Sequence, residues 1–132
     1  MAEAKKTILL VEDETALREV LRDKFVQENF TVFEAKDGAE GLTVAFDKHP
    51  DIILLDLLMP EVSGLQVLEK LRSDDWGKSA SVIVLTNVSD QEKIAEAVIE
   101  GSYEYIIKSD WKLEDIVAKV KDKLADTPTS NS

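Results

Sequence analysis

The sequence contains no cysteine and a single histidine, His49. Without cysteine, the chain can form no disulfide, no thiolate nucleophile and no cysteine-based metal site. Protein zinc sites draw on several cysteine or histidine ligands, so one histidine argues against that class of site as well. Carboxylate oxygens are therefore the main candidates for any metal ligand.

Basic residues and long apolar runs are also scarce. The chain has 16 Lys and Arg against 27 Asp and Glu, which gives a formal net charge of -11. This balance opposes a duplex-sized nucleic-acid footprint, which needs clustered basic residues. The apolar runs are far shorter than a membrane span, and MAEAKK leads into a strand-like segment without the apolar region of a signal peptide. We therefore expect a cytoplasmic protein that binds neither membranes nor nucleic acid.

The length of 132 residues suits one domain with a single core. We predict an N-terminal extension over residues 1–6, a folded domain over 7–124 and a flexible tail over 125–132. Because the predicted tail leaves no room for a DNA-binding output domain, we expect a single-domain protein; a piece of a longer protein is the rival interpretation.

Strand-like and helix-like segments alternate along the chain. Short β-branched runs predict strands. They are Thr7 to Val11, Thr31 to Glu34, Asp51 to Asp56, Ser81 to Thr86 and Tyr103 to Ile107. Apolar residues at spacings of three and four predict a helix after each strand. The pattern predicts an α/β fold, a doubly wound five-stranded parallel sheet with helices on both faces.

Several residues mark the predicted helix ends. Ser63 with Gln66, and Ser89 with Glu92, form capping boxes that predict the starts of the third and fourth helices. Gly101 fits the left-handed residue that ends the fourth helix.

Other residues in loops have structural explanations. Glu14 fits an acidic helix start with Thr15 as the cap. Trp76 and Trp111 lie in predicted loops, where we expect them to plug the core rather than anchor an interface. His49 fits the end of the second helix, with no role assigned.

Chemistry in a doubly wound sheet is expected beyond the carboxyl ends of its strands, where the crossover direction changes. Acids follow the first strand, at Glu12 and Asp13, and Asp56 ends the third. If the first, third and fourth strands are neighbours, these acids converge, with Thr86 and Lys108 facing them. Three carboxylates repel one another, and a divalent cation such as Mg²⁺ relieves that repulsion.

Carboxylate, Mg²⁺, hydroxyl and ammonium groups together suit phosphoryl transfer. An aspartate can attack a phosphoryl group to give an aspartyl phosphate. Mg²⁺ and Lys108 would balance charge on the phosphoryl oxygens, and Thr86 would donate a hydrogen bond to one of them. The protein would then be both acceptor and assistant in its own modification.

The chain resembles the receiver domain of two-component response regulators, with its flavodoxin-like (βα)5 fold. The resemblance runs from about Thr7 to Leu124. It is carried by Glu12-Asp13 after the first strand, Asp56 in "LLDLLMPEVSG", Thr86 after "VIVL" and Lys108 after "YEYII". It implies a phosphoacceptor domain rather than an enzyme that turns over a substrate.

The resemblance also implies a role for each site residue. Asp56 would accept phosphate from a sensor histidine kinase or a histidine phosphotransfer protein. Asp13, Asp56 and the backbone carbonyl of Leu58 would bind Mg²⁺, with Mn²⁺ as a possible substitute, and Glu12 would help through water. Thr86 and Lys108 would contact the phosphate.

The same resemblance implies an output. Thr86 and Tyr105 would act as a switch that reshapes the face formed by the fourth helix, fifth strand and fifth helix for a downstream protein target. The domain would work as a monomer or as a phosphorylation-linked dimer.

The sequence departs from the family pattern beside the site. Ser109 follows Lys108 where a cis proline is usual, and a cis bond before a residue other than proline costs about 2.5–4 kcal/mol. Lys112 stands where a hydroxyl cap is expected, and Asn87 replaces a small residue. Leu58 and Val88 could hinder an attacking water, which predicts a long-lived phosphoryl group.

Three other functions fit parts of the pattern. A receiver within a longer regulator or hybrid kinase has the same site residues. An aspartyl-phosphate phosphohydrolase usually has a second acid two positions after the nucleophile, where this chain has Leu58. A flavin-binding module would need a phosphate loop after the first strand, where this chain has acids.

Overall fold

The computed structural model describes residues 5–57, 59, 61–86, 104–107 and 112–125; for residues 86, 104, 105 and 107 it describes the backbone. Within these residues the five predicted strands form one parallel sheet of order β2-β1-β3-β4-β5. The strands are β1 Thr7–Val11, β2 Thr31–Ala35, β3 Ile52–Asp56, β4 Val82–Thr86 and β5 Glu104–Ile107. Each predicted strand end lies within one residue of the observed one, so the predicted sheet is confirmed.

Helices connect the strands and cover the sheet. They are α1 Thr15–Gln27, α2 Gly38–Lys48, α3 Gly64–Arg72, a short 3₁₀ helix Gly77–Ser79, and the C-terminal helix Leu113–Ala125. The predicted fourth helix, with Ser89, Glu92 and Gly101, lies outside the described residues. Among the residues that the structure describes, no helix combines the length and hydropathy needed to cross a bilayer.

Two apolar clusters lie on opposite faces of the sheet, because successive strand residues alternate between them. Leu9 and Val11 belong to the cluster beneath α2 and α3. Ile8 and Leu10 belong to the cluster beneath α1 and the C-terminal helix. The sheet is therefore buried on both sides, as the continuous apolar strands predicted.

The capping box that was predicted for α3 is present. Ser63 Oγ accepts a hydrogen bond from the Gln66 amide at 3.3 Å, and Gln66 Oε1 accepts one from the Ser63 amide at 2.8 Å. Two backbone donors at the helix start are thereby satisfied. The helix consequently begins at a fixed position after the loop that follows Asp56.

The start of α1 differs from the prediction. Thr15 is not the cap: it is the first helical residue, and Glu14 is the N-cap with extended backbone and no side-chain capping bond. The physical reason lies upstream, where Glu12 Oε2 accepts a hydrogen bond from the Glu14 amide at 3.0 Å. The acidic loop therefore satisfies the amide of the N-cap residue, which the side chain at the third helical position serves in a capping box.

The C-terminal helix begins without a hydroxyl cap. Lys112 precedes it, and the Lys112 amide donates to Asp115 Oδ2 at 3.1 Å. This is the reciprocal half of a capping box, in which an acid at the third helical position returns to the N-cap amide. Asp115 thus marks the start of a helix that has Lys112 where a hydroxyl cap is expected.

Trp76 plugs the edge of the core, as predicted. It packs against the cluster beneath α2 and α3, and its ring stacks on His49 with centroids 4.3 Å apart and planes 8° from parallel. His49 ends α2 in the left-handed conformation, with φ 46°. The histidine to which sequence assigned no role is therefore a stacking partner. Trp111 lies outside the described residues.

Candidate functional site

The acidic residues meet where the direction of chain crossover changes. β1 lies between β2 and β3, so the chain winds to one side of β1 first and to the other side afterwards. Val11 pairs with Leu55 in the parallel register. The residues that follow each of them, Glu12 and Asp56, consequently leave the sheet at the same level and on neighbouring strands.

Three carboxylates form a compact group at this edge. Each of Glu12, Asp13 and Asp56 offers one oxygen, and these oxygens lie within 4.8 Å of one another. Glu12 is 1% exposed and Asp56 is 2% exposed, whereas Asp13 is exposed to solvent. The predicted convergence of these acids is therefore observed, with one acid on the open side of the group.

Glu12 is held at three points. Its amide donates to the Ala35 carbonyl at 3.1 Å, and its carboxylate accepts from the Glu14 amide. Its carbonyl accepts from Arg18 Nη1 at 2.8 Å. Arg18 Nε in turn lies 3.2 Å from Glu34 Oε1, so α1 and β2 both fix the acidic loop.

Asp56 is placed by the packing of β3. Leu55 and Leu57, on either side of it, are both fully buried. The Leu57 amide donates to the Leu85 carbonyl of β4, and the Gly64 amide donates to the Leu57 carbonyl, each at 3.0 Å. The strand end cannot swing away from the sheet, so the Asp56 carboxylate stays beside the acids that follow β1.

The donor set fits a hard divalent cation. Three carboxylate oxygens within one small span repel one another when ionised, and a cation among them offsets that repulsion. Mg²⁺ is usually bound in proteins by a few carboxylates, with water and phosphate oxygens completing its shell. Asp13 and Asp56 are the residues that would hold such an ion, with Glu12 behind them.

The other predicted site residues are described in part. Thr86 ends β4, one residue beyond the Asp56 to Leu85 pair, and its backbone pairs with Ile107 of β5. Its strand therefore ends at the same edge as Asp56. Tyr105 lies in β5 opposite Val84. Leu58 and Lys108 lie outside the described residues.

The remaining departures from the family pattern lie outside that range as well. Asn87, Val88 and Ser109 are the residues concerned, together with the Lys108-Ser109 peptide.

Sequence reasoning missed Arg18 and Glu34. Each reads as an ordinary surface charge, on a helix and on an edge strand. Their proximity depends on how α1 packs against β2, and no local pattern contains that information. The one available signal was that Arg18 stands one turn after Glu14, and so faces back toward the acidic loop.

Known proteins are similar to this chain in sequence and in fold. The family described as response regulator receiver domain matches residues 8–121. The response regulator ArlR of Staphylococcus aureus is 32% identical over 114 residues, which cover 86% of this chain and 50% of ArlR. The chain thus spans about half the length of the curated relatives it matches.

Solved structures are similar over nearly the whole chain. A CheY-like response regulator receiver domain protein from Methanospirillum hungatei has a TM-score of 0.87 at 25% identity, covering 96% of this chain and 99% of that one. TrrA from Thermotoga maritima, solved in complex with Mg²⁺-BeF, has a TM-score of 0.77 at 30% identity, covering 89% of this chain and 98% of TrrA.

The fold and the site together define a class of protein: doubly wound α/β domains with an acidic group at the switch point of the sheet. Within that class, the chain belongs to the receiver domain family of two-component response regulators. Domains of this family serve signalling, and the predicted resemblance is confirmed.

Proposed function

We propose that Asp56 accepts a phosphoryl group from a sensor histidine kinase or a histidine phosphotransfer protein in a Mg²⁺-dependent reaction. The observation that carries the proposal is the group of Glu12, Asp13 and Asp56, whose oxygens lie within 4.8 Å of one another at the switch point. TrrA, a relative whose structure is a complex with Mg²⁺-BeF, supports the choice of metal. Mn²⁺ would substitute, since it also prefers oxygen ligands.

The chemistry is a transfer between two protein side chains. An Asp56 oxygen attacks phosphorus, the bond from phosphorus to the donor imidazole nitrogen breaks, and that nitrogen keeps the electron pair. When bound, Mg²⁺ offsets negative charge on the phosphoryl oxygens. Asp13, Asp56 and the Leu58 carbonyl would hold the ion, and Glu12 would act through water.

Two further residues complete the proposed site. Thr86 would donate a hydrogen bond to the phosphoryl group, and Lys108 would balance its charge. The register supports this arrangement, because Thr86 ends the strand next to Asp56 and Lys108 follows the strand after that.

The proposed output is a change of surface that a partner protein reads. Thr86 would move toward the phosphoryl group and Tyr105 would turn into the space that it leaves, on the face of the fourth predicted helix, β5 and the C-terminal helix. The domain would act in the cytoplasm, as a monomer or a phosphorylation-linked dimer.

Two settings suit this output. The first is a single-domain regulator, and the alternative is the receiver part of a longer regulator or hybrid kinase, as in ArlR, of which this chain spans 50%.

Incubation with Mg²⁺ and acetyl phosphate, followed by intact mass measurement, tests the acceptor. We expect a gain of one phosphoryl group in the wild type and none in Asp56→Asn. Asp47→Asn is the matched control, because Asp47 is 70% exposed on α2 and lies apart from the acidic group. A wild type that gains no mass at saturating donor, or an Asp56→Asn protein that still gains it, would count against the proposal.

The lifetime of the phosphoryl group is a separate expectation. Leu58 and Val88 predict slow attack by water, so the acyl phosphate should persist well beyond seconds after the donor is removed. Following its loss by intact mass in Mg²⁺ buffer measures this, and a lifetime of seconds would contradict it.

A further inference from the structure

Arg18 connects the acidic loop to the sheet through the main chain. Its Nη1 donates to the Glu12 carbonyl at 2.8 Å, and its Nε lies 3.2 Å from Glu34 Oε1. The Arg18 side chain is 15% exposed and that of Glu34 is 31% exposed. The planar guanidinium therefore spans from a backbone oxygen of the site to a carboxylate on β2, a geometry that a lysine cannot reproduce.

The Glu12 carbonyl, which accepts the hydrogen bond from Arg18, controls the position of Asp13. The Glu12 carbonyl belongs to the peptide unit that joins Glu12 to Asp13, and that unit is planar. Fixing its oxygen therefore fixes the direction in which the chain enters Asp13. Glu12 and Asp56 are buried and held by packing, whereas Asp13 is exposed, so its placement depends on its backbone.

We infer that Arg18 is a positioning residue for the metal site, which sets the Glu12-Asp13 peptide so that the Asp13 carboxylate lies within reach of the ion. This inference rests on the proposed function, since it assumes that Asp13 is a ligand. Glu34 serves the same purpose indirectly, because it orients the guanidinium and offsets its charge close to a cation site.

Charge and positioning predict opposite effects at Arg18. Removing a positive charge near the acids should, by electrostatics alone, strengthen Mg²⁺ binding. Removing the hydrogen bond that orients the Glu12-Asp13 peptide should weaken it. The sign of the change in Mg²⁺ affinity consequently separates the two effects.

Calorimetric Mg²⁺ titration of Arg18→Met and Arg22→Met tests the inference. Arg22 is the matched control, because it is an arginine on the same helix that also pairs with Glu34. Its Nη1 lies 3.6 Å from Glu34 Oε2, and its Nη2 lies 3.1 Å from Asp23 Oδ1. We expect Arg18→Met to raise the Kd for Mg²⁺ about tenfold and Arg22→Met to change it by less than about twofold. Arg18→Lys, which can serve only one of the two acceptors, should fall between them.

The Mg²⁺ dependence of phosphorylation gives a second readout. With acetyl phosphate as donor, Arg18→Met should need more Mg²⁺ for half-maximal rate and should reach nearly the wild-type rate at saturation. A loss confined to thermal stability would leave this midpoint unchanged. If Arg18→Met does not fold, Arg18→Lys carries the same comparison.

The outcomes separate this inference from the proposed function. A wild type that binds Mg²⁺ and accepts phosphate, with Arg18→Met binding Mg²⁺ equally or more tightly, overturns the role of Arg18 alone. A wild type that neither binds Mg²⁺ nor accepts phosphate overturns the proposed function.

Discussion

At the scale of single residues, the backbone of Asp56 and Leu57 leaves no room for a side chain at Gly64. A Cβ added to Gly64 would meet the Asp56 carbonyl oxygen and would lie 2.6 Å from Leu57 Cα. Both are backbone atoms, so rotation of a side chain cannot relieve the overlap. Glycine at this position therefore lets α3 begin directly against the strand end that carries the proposed acceptor.

We predict that Gly64→Ala lowers the free energy of unfolding by about 2 kcal/mol, because overpacking outweighs the gain in helix propensity. Since the displaced atoms belong to Asp56 and Leu57, the yield of phosphorylated protein should also fall. Urea unfolding and intact mass after acetyl phosphate treatment measure the two effects.

Glu69→Ala provides the control on the same helix, since Glu69 is exposed. It should change stability by less than about 0.5 kcal/mol. If Gly64→Ala is as stable and as readily phosphorylated as Glu69→Ala, the close approach of α3 to β3 has no functional consequence.

Residues of the site differ in how far sequence could predict them. Glu12, Asp13 and Asp56 were predictable, because strand ends in a parallel sheet meet at one edge. Arg18 with Glu34, and His49 with Trp76, were not, because each pair joins residues whose contact depends on tertiary packing. Side chains that support a site carry a weaker local signal than those that form it.

At the scale of elements, the strands were predictable to within one residue and the helix ends less so. Continuous apolar runs such as Ile52–Leu55 define a buried strand by composition alone. Helix starts depend on which group satisfies the first amides. Glu12 serves the Glu14 amide before α1, and Asp115 serves the Lys112 amide. Both arrangements differ from the hydroxyl caps that a sequence pattern favours.

One ion pair joins α1 to the C-terminal helix. Lys121 Nζ lies 2.6 Å from Glu28 Oε1, and Lys24 Nζ lies 3.6 Å from Glu28 Oε2. The hydrogen bond from Lys121 lowers the pKa of Glu28 below its usual value, and the charges of Lys121 and Lys24 act in the same direction. The pair links two elements on the same face of the sheet.

The lowered pKa predicts an acid-sensitive contribution to stability. A carboxyl whose pKa is lower in the folded state stabilises the fold above its unfolded pKa, and that contribution is lost as pH falls through the lowered value. We predict that Glu28→Gln reduces stability at neutral pH and that its difference from the wild type shrinks in acid. Thermal unfolding across pH 3 to 7 measures this.

Lys121→Met is the matched control, because it removes the partner and leaves the carboxyl in place. The double variant should lose less stability than the sum of the losses in the two single variants, because each single variant already breaks the ion pair. Added salt should reduce this difference. A Glu28→Gln difference that stays constant from neutral pH to acid would contradict the linkage.

At the scale of the whole molecule, the strand order brings together what the chain separates. Glu12 and Asp56 are 44 residues apart in sequence and meet at the carboxyl ends of β1 and β3. Thr7 and Asp51 are also 44 residues apart, and at the amino ends of the same strands the Thr7 amide donates to the Asp51 carboxylate. Right-handed crossovers leave few ways to order five parallel strands, and the observed order makes β1, β3 and β4 neighbours, which was the condition for the acids to converge. The strand order concentrates part of the excess negative charge at one edge of the sheet.

That concentration predicts how the domain responds to Mg²⁺. A ligand that binds the folded state alone stabilises it, by about 2.7 kcal/mol at a free concentration of 100 times its Kd. Addition of Mg²⁺ should therefore raise the Tm of the wild type by several degrees. Without Mg²⁺, Asp13→Asn should melt slightly above the wild type, because it removes one of three neighbouring negative charges.

The response of Asp13→Asn to Mg²⁺ decides whether Asp13 is a ligand. With one ligand oxygen neutralised, this variant should gain much less from the metal, so the order of the two Tm values should reverse as Mg²⁺ is added. Asp47→Asn, altered on an exposed helix position, should follow the wild type throughout. A variant at Asp13 that gains as much from Mg²⁺ as the wild type would show that the metal binds without this carboxylate.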